Sequence, residues 1–509
     1  MNPGRRVIST VGEGEWPDNL PGWLRRFMSW IVTPTSREEN GRSLRHDRDR
    51  SRRGGLAAAR SGNSKGKIAL VEAKRPGGEC TFTGCVPSKT LVDVAGRVAR
   101  VRDRGHWGIR GDVEVDLGTV LRHVREVVEE IAQDESPDKL RAEGIDLVEG
   151  RAHFLDPHAV EVSGRVLRSE RFVIAVGARP EIPAIDGLHG LPILTNETIF
   201  ALEETPRHLA IVGGGGVGCE LAQAFARLGV SVSLLEVEER VLAVEEPEAS
   251  DTVRRVLERD GVEVRTGTRP SRGLPGPTLE LGSGERIDAS HVLITAERRP
   301  LTEDLGLEAA GVDTDEQGSI VVDNRSRTSA KHIYAVGDCA HDLKFTHVAD
   351  EQGRTAARDA FSRMPHRLDN SALPWVTFTD PEVGRVGMTE QRAYERFGER
   401  ARVAVMPIGR TDRGRCSGER DGFVKLIAAP GRFVRSLGGG RLVGMTAVCS
   451  TGGELIAEGA LAMRGGMLPG RIAQTVHAYP TWSIAVRQAA AQWFVGLARP
   501  AGPNPSNFG

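Results

Sequence analysis

The sequence predicts an α/β protein with two Rossmann-like dinucleotide-binding domains and a C-terminal α+β domain. Three observations support this prediction. A strand, a glycine-rich turn, a helix and a second strand ending in an acid follow one another between His208 and Glu236. Another buried-strand pattern ending in an acid covers Lys67–Glu72. From about Pro374 the pattern changes to short alternating strands, and 509 residues are enough for about three domains.

The glycine-rich turn has the spacing G-x-G-x-x-G. It follows the apolar strand 209–212, and its three glycines are Gly213, Gly215 and Gly218. Glycines at this spacing allow a tight turn and let the backbone approach a pyrophosphate at the helix N-terminus. Glu236 closes the next strand, where a carboxylate hydrogen-bonds a ribose 2′-hydroxyl and repels a 2′-phosphate. The pattern therefore favours NADH, although the nearby Arg240 leaves NADPH open.

Glu72 ends the other strand that closes in an acid. In a Rossmann-type fold this is the place of a carboxylate that binds a ribose hydroxyl. The alternative interpretation is an ordinary solvated acid at the end of a strand. Glu72 is therefore a candidate cofactor-binding residue.

Two cysteines with four residues between them, Cys80 and Cys85, are bracketed by glycines and followed by Pro87-Ser88-Lys89. On the first turns of a helix, this spacing brings the side chains to one side, where they can form a disulfide. The helix N-terminus and the lysine would stabilise a thiolate. A structural disulfide across so short a loop would contribute little stability, and a zinc site needs a second cysteine pair that the sequence lacks. We therefore predict redox chemistry and no resident metal.

Composition excludes several classes of function. The net charge is −1 and the pI is near 6.9, so neither a nucleic-acid partner nor an anionic membrane is indicated. Six cysteines in 509 residues do not make a secreted disulfide scaffold. The best apolar run near the N-terminus, 28–32, is too short to span a bilayer. The sequence therefore predicts a cytoplasmic protein without membrane association.

The segment Gly77–Lys89 resembles the redox-active segment of the flavin-dependent pyridine nucleotide–disulfide oxidoreductases. This family includes glutathione reductase, dihydrolipoamide dehydrogenase and mercuric reductase. The resemblance extends from about Gly54 to Phe494, and around Pro374–Val383 it looks closest to mercuric-reductase-like members. It implies an enzyme with FAD, NADH or NADPH as cofactors, a redox-active Cys80–Cys85 disulfide, a homodimer, and a small-molecule or metal-ion electron acceptor.

The resemblance also implies the domain boundaries. They are an atypical, disordered N-terminus at 1–53, an FAD-binding domain at 54–187 and 318–368, an NAD(P)-binding domain at 188–317, a dimerisation domain at 369–498, and a tail at 499–509.

The same resemblance assigns roles to individual residues. Cys85 is the sulfur nearer the flavin, and Cys80 is the outward thiol that meets the substrate. Lys89 pairs with Glu220 beside the flavin. Asp338 ends the second FAD motif, 332–338, and bonds the ribityl chain. The remaining FAD contacts that the resemblance implies are Gly55, Gly78, Ala349, which helps to start the helix under the flavin, and Glu72, on the adenosine ribose.

The segment His477–Ile484 aligns with the family motif His-x-His-Pro-Thr-x-Ser-Glu. In disulfide reductases the second histidine is the acid–base of the thiol chemistry and the glutamate orients it. Here Tyr479 replaces that histidine and Ile484 replaces the glutamate, while His477 reads as a packed structural residue. A tyrosine at this place is typical of mercuric reductases, which makes Tyr479 a candidate catalytic residue. Their paired C-terminal cysteines and N-terminal metal-binding module have no counterpart in this sequence.

The largest departure from the family lies before the cysteines. The family pattern has a strand and a G-x-G-x-x-G turn there, whereas Arg52–Arg60 matches only the end of such a turn and the start of its helix. Three interpretations follow. In the first, the chain is an FAD-dependent oxidoreductase that reduces a soft metal ion or another small oxidant. In the second, it is a dihydrolipoamide-dehydrogenase-type disulfide reductase. In the third, it is a non-enzymatic remnant that cannot hold FAD. We favour the first, because every later motif is present.

A further expectation is that Glu297, which replaces a glycine of the family pattern, is strained if that glycine has a positive φ.

Overall fold

The computed structural model of the chain describes residues 53–63, 67–102, 108, 113–341, 343–362, 364–431 and 437–502. The predicted disordered N-terminus, 1–53, lies outside these residues except for Arg53, as does the tail beyond 502. The first part of the FAD-binding domain runs to Glu181. Its elements are α1 (Arg53–Asn63), β1 (Ile68–Glu72), α2 (Gly78–Phe82), α3 (Cys85–Arg102), α4 (Leu117–Ala132), α5 (Pro137–Ala142), β2 (Ile145–Glu149), β3 (Ala152–Asp156), β4 (Ala159–Val162), β5 (Arg165–Arg168), β6 (Phe172–Ile174) and β7 (Ala178–Glu181).

The next domain is a five-stranded parallel sheet with helices and an antiparallel meander of three strands. Its elements are β8 (Ile193–Leu194), β9 (His208–Val212), α6 (Gly216–Arg227), β10 (Ser231–Leu235), α7 (Pro247–Arg259), β11 (Val262–Arg265), β12 (Pro270–Leu274), β13 (Thr278–Leu281), β14 (Arg286–Asp288), β15 (His291–Ile294) and β16 (Glu297–Pro300). The strand order in the sheet is β11-β10-β9-β15-β8. β9 and β10 cover the residues at which the sequence predicts the strand before the glycine turn and the strand after its helix.

The chain then returns to the first domain through β17 (Ile333–Ala335) and α8 (Thr346–Phe361). Here the parallel strands form two pairs, β1 with β2 and β6 with β17. Helix α1 packs on α8 where Gly353 faces Gly54, since a Cβ on Gly353 would lie 2.1 Å from the carbonyl oxygen of Gly54. β7 pairs antiparallel with β16, which ties the two dinucleotide-binding domains together.

The C-terminal domain is a six-stranded antiparallel sheet covered by helices. Its elements are β18 (Pro374–Thr377), β19 (Glu382–Gly387), α9 (Glu390–Phe397), β20 (Arg402–Pro407), α10 (Asp412–Ser417), β21 (Phe423–Ala429), β22 (Arg441–Cys449), α11 (Gly452–Arg464), α12 (Pro469–Gln474), α13 (Ile484–Ala491) and β23 (Arg499–Pro500). The strand order is β18-β19-β22-β21-β20-β23. The assignment of Arg499 and Pro500 to a disordered tail was wrong, because they pair with β20.

The largest core cluster joins the first two domains and positions the site. α4 is amphipathic, with buried residues at helical spacing from Leu117 to Ala132. Leu91 of α3 and Leu121 of α4 belong to the same buried cluster as Leu221 and Phe225 of α6. This packing fixes the helix that carries Lys89 against the helix that carries Glu220. Within the described residues, no helix is both long and apolar enough to cross a bilayer.

Candidate active site

The two cysteines lie on two consecutive helices, so the expectation of a single helix was wrong. Cys80 is in the short α2, and Cys85 is the first residue of α3. The chain leaves the helical conformation at Thr83, whose φ is −143°. Gly84 then passes close to α2, and a Cβ on it would lie 2.9 Å from the carbonyl oxygen of Glu79. A glycine is therefore needed for the turn that brings the second sulfur back toward the first.

The two sulfurs are in hydrogen-bond contact, and both cysteines are free thiols in this structure. The hydrogen bond from Cys80 is the main reason why the pKa of Cys85 falls to about 6. The Thr346 hydroxyl, 3.3 Å from the Cys85 sulfur, and the positive charge of Lys89 lower it further, against the opposing effect of burial. Cys85 is therefore mostly a thiolate at neutral pH, which is the reactive form.

Lys89 and Glu220 form an ion pair between the two dinucleotide-binding domains. Lys89 Nζ donates to Glu220 Oε2 at 2.7 Å, and the other carboxylate oxygen accepts from the backbone N–H of Phe378 at 2.7 Å. The ammonium also lies 4.6 Å from the centre of the Phe378 ring. This is the pair that the family resemblance implies. The glutamate is nearly buried, so it is not an ordinary acid on the surface of its helix.

A second ionic network lies beside the cysteines and has Arg298 at its centre. Its guanidinium donates to both carboxylate oxygens of Glu79, and its Nε lies 3.4 Å from a carboxylate oxygen of Asp338. Asn196 donates to Glu79 as well, at 2.7 Å. Glu79 directly precedes Cys80 in the chain. The network therefore joins the cysteine-bearing turn to the residue predicted to bind the ribityl chain.

These residues line one cleft with about 1,090 Å³ of open space. The predicted site residues that the fold brings together in it are Cys80, Cys85, Lys89, Asp338 and Ala349. Val217, Leu221 and Thr295 line the cleft from the second domain. None of its described lining residues is a histidine. Both dinucleotide-binding domains thus contribute walls to the space in front of the sulfurs.

The G-x-G-x-x-G turn of the second domain is tightly closed. Gly213 has φ +114°, and a Cβ on Gly218 would lie 1.8 Å from the Gly213 carbonyl oxygen. A Cβ on Gly215, at the start of α6, would meet nothing within 4 Å. Glu236 closes over the turn, accepting the backbone N–H of Gly214 at 2.5 Å. The turn leaves open backbone at Gly215 and a fixed carboxylate at Glu236, as a nicotinamide dinucleotide requires.

The corresponding residues of the first domain are also in place. Glu72 ends β1 and is only 2% exposed, so its interpretation as a solvated acid was wrong. Its carboxylate accepts the backbone N–H of Lys74 at 3.0 Å. Gly55 lies buried near the start of α1, against Ala175. Gly78 enters α2 with φ +65°, a backbone conformation that glycine adopts without strain. These residues fit the adenosine and diphosphate end of FAD.

Tyr479 lies outside this cleft in the single chain. It is 69% exposed, and its hydroxyl donates to Asp412 at 2.9 Å, which raises the pKa of the phenol. His477 is packed, with one ring nitrogen 2.9 Å from a Glu458 oxygen and the other 3.0 Å from the Thr475 carbonyl. The interpretation of His477 as a structural residue is therefore confirmed.

The sequence interpretation missed two residues of the cleft. Thr346 begins the helix that contains Ala349, and Arg298 directly follows Glu297, but the sequence analysis gives neither residue a role. A threonine as the first residue of α8 and an arginine near buried acids can each mark a polar site. Their partners are remote in the sequence, so the sequence alone does not identify the contacts. The condition for strain at Glu297 is not met, because the described non-glycine residues with positive φ are Ser163, Leu242, Asp304 and Ser326.

Two dinucleotide-binding domains that flank a thiol pair are the architecture of a flavin disulfide oxidoreductase. The comparisons with known proteins agree. Residues 53–353 match the family Pyridine nucleotide-disulphide oxidoreductase, and residues 373–490 match the dimerisation domain of the same family. The chain therefore belongs to the pyridine nucleotide–disulphide oxidoreductase family, whose members use FAD and NAD(P)H.

Several relatives within this family cover most of the chain. A mercuric reductase from Lysinibacillus sphaericus is 31% identical over 83% of this chain and 78% of its own length. A dihydrolipoyl dehydrogenase from Thermus scotoductus is 33% identical over 86% of this chain and 94% of its own length. Among solved structures, the HOCl-induced flavoprotein disulfide reductase RclA from Escherichia coli aligns with a TM-score of 0.77 at 26% identity, covering 87% and 98% of the two chains.

Proposed function

We propose that this chain is an NAD(P)H-dependent flavoenzyme that reduces a soft metal ion, with Hg(II) as the first candidate, through Cys80 and Cys85. The observation that carries the proposal is the contact of these two sulfurs in a cleft that both domains line, with the pKa of Cys85 lowered to about 6. Soft thiolates are preferred ligands of soft metals. Another small oxidant, such as a quinone, would use the same cleft.

The residues around the cleft fit both cofactors. Glu72, Gly55 and Gly78 would hold the adenosine and diphosphate of FAD, while Asp338 and Ala349 would contact its ribityl chain and ring. Gly213, Gly215, Gly218 and Glu236 would hold the nicotinamide dinucleotide. When bound, these two cofactors would supply hydride and two-electron chemistry to the Cys80–Cys85 pair. The open backbone at Gly215 and the close packing at Gly218 support this assignment.

The chain's own residues prepare the sulfurs for the acceptor. Cys80 and Thr346 stabilise the Cys85 thiolate by hydrogen bonds, and Lys89 adds a positive charge that Glu220 holds in place. By the family resemblance, Cys80 would be the thiol that meets the acceptor. With Hg(II) the balance is that NADH and Hg²⁺ give NAD⁺, H⁺ and Hg⁰, so both hydride electrons reach the metal and one proton is released.

The tyrosine at position 479 favours a metal acceptor over a disulfide substrate. A disulfide substrate needs a proton for each departing thiolate, which in disulfide reductases a histidine supplies. Tyr479 stands at that place in the motif, and the ordinary pKa of tyrosine is far above neutral. In a homodimer formed through the dimerisation domain, Tyr479 of a second copy would complete the cleft.

Two of the related proteins agree with a metal acceptor. RclA from Escherichia coli was solved as a Cu(II) complex, with a TM-score of 0.76 to this chain at 26% identity. A mercuric reductase is among the relatives at 31% identity. The dihydrolipoyl dehydrogenases are equally similar in sequence, so lipoamide remains the second candidate substrate and has to be tested beside the metal.

The test is NADH oxidation by the purified protein with Hg(II), Cu(II), a quinone or lipoamide as acceptor. We expect the highest kcat/KM with Hg(II) and the lowest with lipoamide. Cys80→Ser and Cys85→Ser should each lose most of the metal-dependent activity. Cys416→Ser is the matched control, because Cys416 is an exposed free cysteine outside the cleft, and its activity should stay unchanged.

Three results would contradict the proposal. Fast lipoamide turnover would show that the chain is a dihydrolipoyl dehydrogenase. Full activity of Cys85→Ser would show that the thiol pair is not used. Colourless protein that does not take up added FAD would support the non-enzymatic remnant, which could still bind NADH at Gly213–Gly218.

A further inference from the structure

Helix α2, which carries Cys80, is too short to hold its conformation alone. It has five residues, whereas isolated helices of fewer than about 12 residues are marginal in water. The residue before it, Gly77, has no side chain that could cap the first turn. The chain leaves the helical conformation again at Thr83. The position of Cys80 therefore depends on the residues that contact α2 from outside.

The two neighbours of Cys80 in the chain are both anchored, and their anchors belong to different domains. Thr81 donates its hydroxyl hydrogen to Glu135 at 2.9 Å, just beyond α4 of the first domain. Glu79 accepts hydrogen bonds from both terminal nitrogens of Arg298, which lies in β16 of the second domain. Cys80 thus lies between a contact with the first domain and a contact with the second.

Asn196, also of the second domain, joins the two ends of α2. Its side-chain amide donates to Glu79 at 2.7 Å and to the carbonyl oxygen of Thr83 at 3.1 Å. Glu79 lies in the first turn of α2, and Thr83 is the residue at which the helix ends. Gly84 follows at once and leads into α3, which begins at Cys85. The contact with Thr83 therefore also helps to fix where the second cysteine lies.

The guanidinium of Arg298 has a fixed orientation. Its backbone is held by the pairing of β16 with β7, which places Arg298 opposite Pro180. One terminal nitrogen also donates to the carbonyl oxygen of Ala178 at 3.2 Å. A planar guanidinium that meets a carboxylate through two bonds fixes the direction of the carboxylate as well as its distance. The pair can therefore set the position of Glu79 and, with it, that of Cys80.

We propose that two residues of the second domain, Arg298 and Asn196, are positioning residues that hold the sulfur of Cys80 against its partner. This role rests on the redox function of the thiol pair proposed above. A disulfide forms only when its two sulfurs can approach to bonding distance. The hydrogen bond from Cys80 is also the main cause of the lowered pKa of Cys85. The second domain thereby sets how easily the pair closes and opens, although both cysteines belong to the first.

The test is the thiol–disulfide equilibrium of the full-length protein with glutathione, which does not depend on activity. In this exchange the two thiols and one oxidised glutathione give the Cys80–Cys85 disulfide and two reduced glutathiones. Alkylation of the remaining thiols, followed by mass spectrometry of the peptide that contains both cysteines, gives the oxidised fraction. Arg298→Met should make the disulfide about tenfold less favourable, which raises the reduction potential of the pair by about 30 mV.

Arg299→Met is the matched control, because Arg299 is the next residue of β16 and its ion pair with Glu303, at 2.9 Å, is half-exposed. It should leave the equilibrium unchanged. Glu79→Gln removes the charge of the other partner and should shift the equilibrium in the same direction as Arg298→Met. Because the two residues act as one pair, the double variant should be no worse than the more strongly affected single variant.

Asn196→Ala is a milder variant that serves if Arg298→Met does not fold, because it leaves Glu79 paired with its arginine. We expect it to disfavour the disulfide by about threefold, as the net loss of one hydrogen bond predicts. An unchanged equilibrium in these variants would overturn the positioning role. An equal shift in Arg299→Met, or additive effects of Arg298→Met and Glu79→Gln, would overturn it too. A protein that shows the expected shifts but reduces no metal would disprove the proposed acceptor alone.

Discussion

The two dinucleotide-binding domains differ in how their nucleotide-facing edges are built. In the second domain one continuous stretch of sequence supplies β9, the glycine turn, α6, β10 and the closing acid Glu236. In the first domain the same positions are occupied by α1, β1 and Glu72, but the described strands stand in two separate pairs. In the first domain the packing of α1 on α8 and on β1 holds the helix and the acid in place.

We expect the largest effect from a substitution that opens the G-x-G-x-x-G turn of the second domain. In Gly218→Val the first side-chain carbon would lie 1.8 Å from the Gly213 carbonyl oxygen, so the turn has to open. We expect loss of measurable NADH binding and a stability loss of about 1–3 kcal/mol from overpacking. Fluorescence titration with NADH and thermal unfolding measure the two effects.

Gly215→Ala is the control in the same turn. Its Cβ has open space, so the free energy of unfolding should stay within about 0.5 kcal/mol of the parent. If Gly215 approaches the pyrophosphate, NADH affinity should still fall. A Gly215→Ala protein that is as unstable as Gly218→Val would show that the turn is not packed as described.

Buried charges also fix the second domain to the C-terminal domain. A substitution among these charges tests how strongly the two domains are joined. Lys425 of β21 is 0% exposed and donates to Glu246 at 3.2 Å, Glu248 at 2.8 Å and Glu390 at 3.1 Å. Lys425→Met leaves Glu246 and Glu248 buried without this cation, while Glu390 keeps its pair with Arg499. Breaking a buried pair in this way costs about 3–5 kcal/mol, which denaturant unfolding measures.

Arg97→Met provides the contrast, because its pair with Asp93 at 2.8 Å is exposed on α3. Such pairs contribute about 0–1 kcal/mol, so its unfolding midpoint should stay close to that of the parent. Equal stability losses in the two variants would show that the cluster around Lys425 is solvated and does not fasten the domains.

What the sequence predicts well is local, and the comparison shows why. β9, β10 and the turn between them follow from apolar alternation and glycine spacing within one short stretch. The Arg298–Glu79 pair joins residues 219 positions apart, and no local pattern indicates it. In the sequence, the run Glu245-Glu246-Pro247-Glu248 has the composition of a solvated acidic surface. In the structure its carboxylates are buried and form ion pairs with Lys425 and Arg385, which belong to another domain. The break between α2 and α3 depends on how closely Gly84 passes Glu79, which spacing alone does not reveal.

The two closing acids should differ in what they recognise. Glu236→Gln keeps the shape of the side chain but removes the charge that repels a 2′-phosphate. We expect the ratio of NADPH to NADH affinity to rise by about tenfold, equivalent to about 1.4 kcal/mol. Glu72→Gln, the same change in the first domain, should leave that ratio unaltered and weaken FAD retention instead. A shift of the ratio in the Glu72 variant would mean that the two sites have been assigned the wrong way round.

The smallest expected effect is on the pKa of Cys85, which residues of both domains influence. Cys80 contributes most to lowering the pKa of Cys85 to about 6, followed by Thr346 from the first domain and by Lys89, which Glu220 of the second domain holds. Thr346→Val and Lys89→Met should each raise this pKa by some tenths of a unit to about one unit. The measurement is the pH dependence of Cys85 alkylation in the reduced protein, followed on its own peptide by mass spectrometry. Arg97→Met is again the control, because its cation on the same helix is already paired with Asp93.

The sign of the accompanying stability change follows from the lowered pKa. Between about pH 6 and pH 9 the unfolded chain holds a proton on Cys85 that the folded chain has released, so stability rises with pH across that window. The rise should be smaller in both variants, since their folded-state pKa lies closer to the unfolded value. An alkylation midpoint near pH 9 in the parent protein would contradict the thiolate. A shift with Lys89→Met but none with Thr346→Val would show that the positive charge of Lys89, and not the Thr346 hydroxyl, controls the sulfur.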